Sequence, residues 1–526
     1  MMKSLAILVF ASFLGAVVLG CGMASDTAQN DGPRPTFTFT TDEAFDPSEI
    51  APYDGDHAEI YSYIDRNLQS HIENLQRWVR QKSISAQNDG IQEMARMVRD
   101  DLAAIGFQET EIVPTDGHPG VWGFYDAGAE KTLMLYMMYD VQPVNPEDWE
   151  TPPFAGNLVE KELGTVLMAR GATNQKGPER ALLNAIESII KVTGGLPVNL
   201  MVLAEGEEEI GSVNYPQLVD KFEDRLKTAD GVFFPFNSQD PFGDIRMSLG
   251  VKGILYFELK AKGGEWGGPQ RSEIHGSYKA LVDSPIWRFI QAASTMTTED
   301  GNTILIPGYY DGIRPPTEEE QRLINGVLKN WDEEKIQNLL GVEKWAGGVT
   351  GRDALLRYLY DVTLNIDGIW GGYTGEGGKT ILPHMVTAKV DSRLPMGLTP
   401  EKTLQLVRNH LDANGFSDLE IRQMSGYPAS QTSVEAPLVQ AAISVFNKWR
   451  STSEVWPRLA GSAPFYQFTE RLKLPLVFNG LGHGSGAHAP NEYMVIKPKE
   501  GSKIAGLAEI EKSYVDLLYA LAKSGE

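Results

Sequence analysis

The sequence predicts an α/β fold: two domains, a mixed and mostly parallel sheet in the larger one, and a small α/β unit interrupting it. Two observations predict the sheet. Residues 132–139 (TLMLYMMY) form an unbroken apolar run, as strands buried on both faces of a parallel sheet do. Residues 198–204 read as the next strand, and between the two Ala181, Leu182, Ile186, Ile189 and Ile190 fall at helical spacing. A third observation divides the chain. Near Gly250 the style changes, and residues 253–262 alternate Ile254, Tyr256 and Glu258 against Leu255, Phe257 and Leu259, a strand with two different faces. Helical and strand segments continue to about 425, after which the first pattern returns.

Taken in order, the chain opens on a targeting segment. Lys3 precedes the apolar residues 5–20, and Cys21 follows Val18-Leu19-Gly20. These are the charged and apolar regions of a secretory signal. The segment also resembles a bacterial lipobox, which implies cleavage and a lipid at Cys21 and a place at the periplasmic face of the bacterial cell envelope. Cys21 is the only cysteine, so an intrachain disulfide is excluded. No later stretch approaches the ~20 apolar residues that span a membrane. Residues 22–55, rich in Asp, Thr and Pro without apolar periodicity, read as a flexible tether.

Residues 57–79 and 91–105 follow as amphipathic helices, the second closed by Gly106. Residues 229–237 (ADGVFFPFN) read as a strand, and 297–348 as an acidic, helix-prone stretch. A helix over 438–449, a short strand over 476–479, a Gly-rich loop over 480–492 and a closing helix over 504–521 complete the larger unit. The 526 residues suit about two to four domain-sized units. The formal net charge of −23 argues against a nucleic-acid partner, because phosphate binding needs basic patches.

The strands at 132–139 and 198–204 end in acidic residues, at Asp140 and at Glu207, Glu208 and Glu209. In open α/β sheets the carboxyl ends of strands line the ligand crevice, so an active-site rim is expected here. Three motifs carry a resemblance: MMYDVQP (137–143), ARGATNQKGP (169–178) and EGEEEIGS (205–212). They resemble GHYDVQP, GRGASDDKGP and EGEEEIGS of the M20 family of co-catalytic metallopeptidases, which includes carnosinase-like dipeptidases, glutamate carboxypeptidases, aminoacylases and deacylases.

The resemblance covers about 55–522. After the signal peptide (1–21) and the tether (22–55), it implies a catalytic domain over 56–248 and 427–526, and a lid and dimerisation domain over 249–426, hence a homodimer. It implies Glu208 as general base, Asp140 as the orienter of a metal-binding histidine, and Glu209 and His488 as metal ligands. His275, in EIHGSY, matches the histidine that reaches a neighbouring subunit's site to stabilise the tetrahedral intermediate. Arg393 in DSRLPMG and Ser462 in GSAP match the clamp for a substrate carboxylate, and an arginine fork suits a carboxylate bidentately. Asn365, in NIDG, joins them, and GGYTGEGGKTILP (371–383) also matches carnosinase-type members.

The departures fall on metal ligands. Met138 stands where the family has a histidine, and a thioether is a poor ligand for zinc or manganese. Asn174 stands where a bridging aspartate belongs, and Asn237, or Phe236 with the register shifted by one, where a third carboxylate belongs. A standard two-metal site is not expected. One divalent ion (zinc, manganese or cobalt) on Glu209 and His488, with weak help from the Asn174 amide oxygen, is what the remaining ligands allow. His483 and Asp240 are further candidates as replacement ligands, or plain loop residues.

Two function classes stay open. One is a hydrolase of peptide or amide bonds in small peptides or N-acyl amino acids. The other is a pseudoenzyme that binds small peptides or carboxylate ligands without cleaving them.

Overall fold

The apolar run at 132–138 becomes the strand Thr132–Met138, buried along its whole length. The computed structural model describes residues 34–449 and 453–524. In it this strand lies inside a six-stranded sheet, in the order Glu109–Val113, Gly120–Tyr125, Asn199–Glu205, Thr132–Met138, Gly231–Phe233, Leu476–Val477. The first two pairings are antiparallel and the last three parallel. Successive side chains leave a strand on opposite faces, so the Thr132–Met138 strand feeds two cores. Leu133, Leu135 and Met137 meet residues of the helices Ala58–Arg80, Ile91–Ile105, Lys176–Thr193 and Leu507–Lys523. Met134, Tyr136 and Met138 meet residues of Tyr215–Leu226 and of the turn Gln467–Leu472. The result is a sheet covered on both sides, with its acidic strand ends at one edge.

The inserted unit holds an antiparallel sheet ordered Asn365–Trp370, Met385–Leu394, Gly253–Lys262, Glu420–Tyr427. Burial alternates along Gly253–Lys262 as the sequence implies. Leu255, Phe257, Leu259 and Ala261 pack with residues of the helices Pro285–Met296 and Pro400–Ala413. Ile254, Tyr256 and Glu258 lie on the other, half-open face. At the junction Gly250–Val251 pairs with Ser430–Gln431, and the buried Lys252 donates from Nζ to the Asp361 carbonyl at 2.7 Å.

Three stretches differ from expectation. The strand expected over 229–237 is only Gly231–Phe233, since Pro235 has no N–H to offer a ladder. The stretch 297–348 is helical only at Glu318–Leu328, Glu333–Leu340 and a short 3₁₀ turn, the first helix opened by a capping box of Thr317 and Glu320. Residues 34–53, expected within the tether, are instead a strap against the folded body. Asn325 Nδ2 donates to the carbonyls of Thr41 and Glu43 at 3.1 and 2.8 Å, and Asn447 Nδ2 to those of Pro47 and Ile50 at 2.9 and 2.8 Å. The signal-peptide and Cys21 readings, and residues 22–33 of the tether, lie outside the described residues. Among the described residues no helix is long and apolar enough to cross a membrane.

Candidate active site

Asp140 follows directly on the central strand and is fully buried. Its two carboxylate oxygens accept the N–H groups of Glu208 and Glu209, each at 3.1 Å. The resemblance implies that Asp140 orients a histidine. Here it holds the turn Glu208–Ile210 to the end of the strand. Burial is the main force pushing its carboxyl up to about 7, with the Glu209 charge adding and the two backbone N–H groups opposing.

Glu209 has three nitrogen partners. Its Oε1 accepts from Asn174 Nδ2 at 2.7 Å, and its Oε2 from Gln142 Nε2 at 2.9 Å. His488 Nε2 lies 3.0 Å from the same Oε2, and this bond raises the histidine above its ordinary range. Asn174 therefore presents its amide N–H to Glu209. Its own backbone N–H donates to Glu492 Oε1 at 2.8 Å, and Thr173 N–H to the same oxygen at 3.0 Å. The other oxygen of Glu492 accepts from Gly171 N–H at 3.0 Å and Arg170 Nη1 at 2.7 Å. Glu492 thus pins the whole 170–174 loop.

The remaining substituted positions have partners other than Glu209. Met138 is 2% exposed and belongs to the apolar cluster of Tyr136, Phe234, Phe465 and Phe468. Its N–H donates to Glu179 Oε1 at 2.7 Å. Asn237 is buried and donates from Nδ2 to Thr173 Oγ1 at 3.0 Å, while Phe236 is part-exposed. His483 Nδ1 lies 2.7 Å from the Gln239 carbonyl, and Asp240 accepts the N–H groups of Phe242 and Asp244 at 2.8 and 3.0 Å. Among the described residues no group of three or more His, Cys, Asp or Glu side chains is placed to hold a metal ion. The donor set does not fit a two-metal centre. Glu209, His488 and Asn174 do come together, as the single-ion reading requires, but as partners of one another. An ion there would have to displace the His488–Glu209 pair and turn the Asn174 amide.

Beside this cluster lies Glu208, whose carboxyl is held well above the usual range by burial and by the charges of Glu209, Asp140 and Glu205. Glu205 itself is buried, accepts from Tyr136 Oη at 2.7 Å and Ser212 Oγ at 2.9 Å, and is pushed by burial up to about 8.

The residues expected to clamp a carboxylate meet where the inserted unit joins the larger one. Arg393, on Met385–Leu394, donates from Nη1 to Ser462 Oγ at 3.0 Å and from Nε to Asp391 Oδ1 at 3.1 Å. Ser462 Oγ donates to the Gly253 carbonyl at 2.9 Å. Asn365 Nδ2 donates to Asp391 Oδ2 at 3.0 Å and Asp367 Oδ1 at 2.9 Å, so it reaches Arg393 through Asp391. His275 stands apart. It is exposed on the two-residue strand Ile274–His275, with Nδ1 2.8 Å from Ser277 Oγ.

Gln142 and Glu492 are not among the expected site residues, although Gln142 lies inside MMYDVQP and Glu492 ends the Gly-rich loop over 480–492. Their signal was proximity: Gln142 is two residues from Asp140, and Glu492 four from His488.

A covered α/β sheet with buried carboxyls at its strand ends, joined to an inserted unit that brings an arginine to Ser462, has the build of an amide-bond hydrolase. The chain belongs to Peptidase family M20/M25/M40, whose model matches residues 134–499. It is 28% identical over 463 residues to Cys-Gly metallodipeptidase DUG1 of Candida albicans, covering 82% of this chain and 92% of that protein. It is also 28% identical over 407 residues to Beta-Ala-His dipeptidase of Rattus norvegicus, covering 71% and 78%. Among solved structures, the M20 family metallo-carboxypeptidase Sso-CP2 from Sulfolobus solfataricus matches with a TM-score of 0.76 and 34% identity, over 86% of this chain and 99% of that one.

Proposed function

We propose that this protein hydrolyses peptide or amide bonds in small peptides or N-acyl amino acids that end in a free carboxylate, at a site whose metal centre is degraded. The observation that carries the reading is a contrast. The clamp of Arg393 and Ser462 is assembled, whereas the acceptors of Glu209 are filled by protein N–H groups. The names of the two dipeptidases and the carboxypeptidase supply the substrate class.

In this reading Arg393 and Ser462 hold the substrate carboxylate and set the scissile carbonyl toward Glu208. Glu208 takes a proton from the attacking water and returns it to the leaving amine. Asp140 keeps Glu208 in place through its backbone N–H. At most one weakly held divalent ion sits on Glu209 and His488. The test is a hydrolysis screen of dipeptides and N-acyl amino acids, with and without chelator or added zinc, manganese or cobalt. Turnover is expected, and Glu208→Gln should lower kcat about 10²- to 10⁴-fold, the usual worth of a general base. No turnover on any substrate under any metal condition would contradict it. That outcome, together with saturable binding of a dipeptide, would establish the second reading, a pseudoenzyme. The burial of Met138 in an apolar cluster favours that second reading.

The same proposal includes a homodimer through the lid. The edge strand Asn365–Trp370 exposes Ile366, Ile369 and Trp370 at 44%, 52% and 45%, and His275 is exposed on the same unit. Sedimentation should give twice the chain mass, and a monomer at micromolar concentration would contradict it. It also includes a lipid at Cys21. Cys21→Ser should move the protein from the membrane fraction to the soluble one.

A further inference from the structure

The half-open face of the lid sheet carries a row of side chains that the roles above leave partly unused. Residues directly opposite each other on antiparallel strands project from the same face. Ile254 is opposite Arg393 on one side and opposite Tyr427 on the other. Arg393, Ile254 and Tyr427 therefore form one row, and strand spacing puts the two ends about 10 Å apart. The opposite face is filled by Leu255, Phe257 and Leu259, so the row lies on the half-open face.

Tyr427 does not stand alone. Its ring lies parallel to that of Tyr466, with centroids 6.0 Å apart and planes inclined by 10°. Tyr466 is four residues beyond the clamp residue Ser462, and its hydroxyl accepts from Gln467 Nε2 at 2.7 Å. Both tyrosines are half-buried rather than sealed in a core. The Tyr427 phenol feels a charge from each half of the site. Burial raises its pKa most, the negative charge of Glu208 adds to the rise, and the positive charge of Arg393 opposes it. Tyr427 and its ring partner Tyr466 therefore border the Arg393–Ser462 pair.

We infer that Tyr427 and Tyr466 form an aromatic wall between Glu208 and the Arg393–Ser462 clamp, which selects substrates whose carboxylate-bearing residue has an aromatic side chain. The inference rests on the clamp assigned above and adds the side-chain class. Aromatic pairs gain from offset stacking beyond the area they bury. An alanine side chain in the same place leaves the wall uncovered.

The test uses two dipeptides whose scissile amide is replaced by CH₂–NH, so that neither is cleaved: the analogues of glycyl-phenylalanine and glycyl-alanine. Calorimetric titration of the purified protein should show the phenylalanine analogue binding about tenfold more tightly. Tyr427→Ala and Tyr466→Ala should each bring that ratio close to one. Tyr427→Phe and Tyr466→Phe keep the rings and should keep the ratio, which separates a wall from a hydroxyl contact or a folding defect. Arg393→Ala should weaken both analogues together. Equal affinities in the unaltered protein, or a ratio untouched by the alanine variants, would overturn the wall while leaving the clamp standing. Failure of both analogues to bind would overturn the clamp, and the inference with it.

Discussion

At the scale of residues, charge is managed by a few pairings at the ends of strands. Arg393 forks between Ser462 and Asp391, so its guanidinium is already oriented for a carboxylate. Arg393→Lys keeps the charge and loses the fork, and lysine does not replace arginine at a bidentate site. The expected result is a KM raised about 10- to 100-fold, the worth of a charge-assisted hydrogen bond, with kcat little changed. Steady-state kinetics separates the two parameters.

Glu205 gives a pH dependence of stability. Its folded carboxyl is at about 8 against an ordinary 4.5, and that of Asp140 at about 7 against 3.8. Between each pair of values the folded chain holds a proton that the unfolded chain has released. The stabilisation is therefore complete below the ordinary value and is lost as pH rises through the folded one. Each group sets a slope of at most about 1.4 kcal/mol per pH unit. The melting temperature should fall from pH 5 to pH 8, and Glu205→Gln should flatten that fall. A melting temperature that rises over this range would contradict the account.

At the scale of elements, the strap and the lid sheet show what the sequence could and could not reveal. The strap is held by amide side chains that donate to its carbonyls, two from Asn447 alone. Asn447→Ala should cost about 0.5–1.5 kcal/mol, the net worth of a typical hydrogen bond, since these carbonyls are only half-buried. Chemical denaturation measures this directly. Such a segment leaves no apolar rhythm to read, which is why residues 34–53 looked like a tether. The strand Gly253–Lys262 was legible to its ends because one face is buried and the other half-open. The strand at 231–233 was overdrawn because apolar residues continue past it in a loop.

Motif positions were likewise legible, and Asp140, Glu208, Glu209, Asn174 and His488 do converge. Their bonding was not. A motif gives the place of Asn174 but not which end of its amide faces Glu209. It also could not show Gln142 as a donor to the same carboxylate.

At the scale of the whole molecule, the scaffold of a metallopeptidase family is kept, and in the function proposed above protein hydrogen bonds stand where that family's ions would be held. Three changes act together. Met138 joins the apolar core, Asn237 bonds Thr173, and Asn174 donates where a carboxylate would accept. Each removes a ligand or a negative charge that two divalent ions need. The lid, by contrast, still brings Arg393 against Ser462 across the domain junction. The proposed function therefore assigns the molecule a means to hold a carboxylate and none to hold two metals.

The measurement that tests this most directly is the metal content of the purified protein by elemental analysis, before and after dialysis against excess zinc and then against buffer. The account predicts at most one ion per chain, lost on dialysis against buffer. Two ions retained per chain would contradict it, because Glu209, His488 and Asn174 would then have to release one another to hold them.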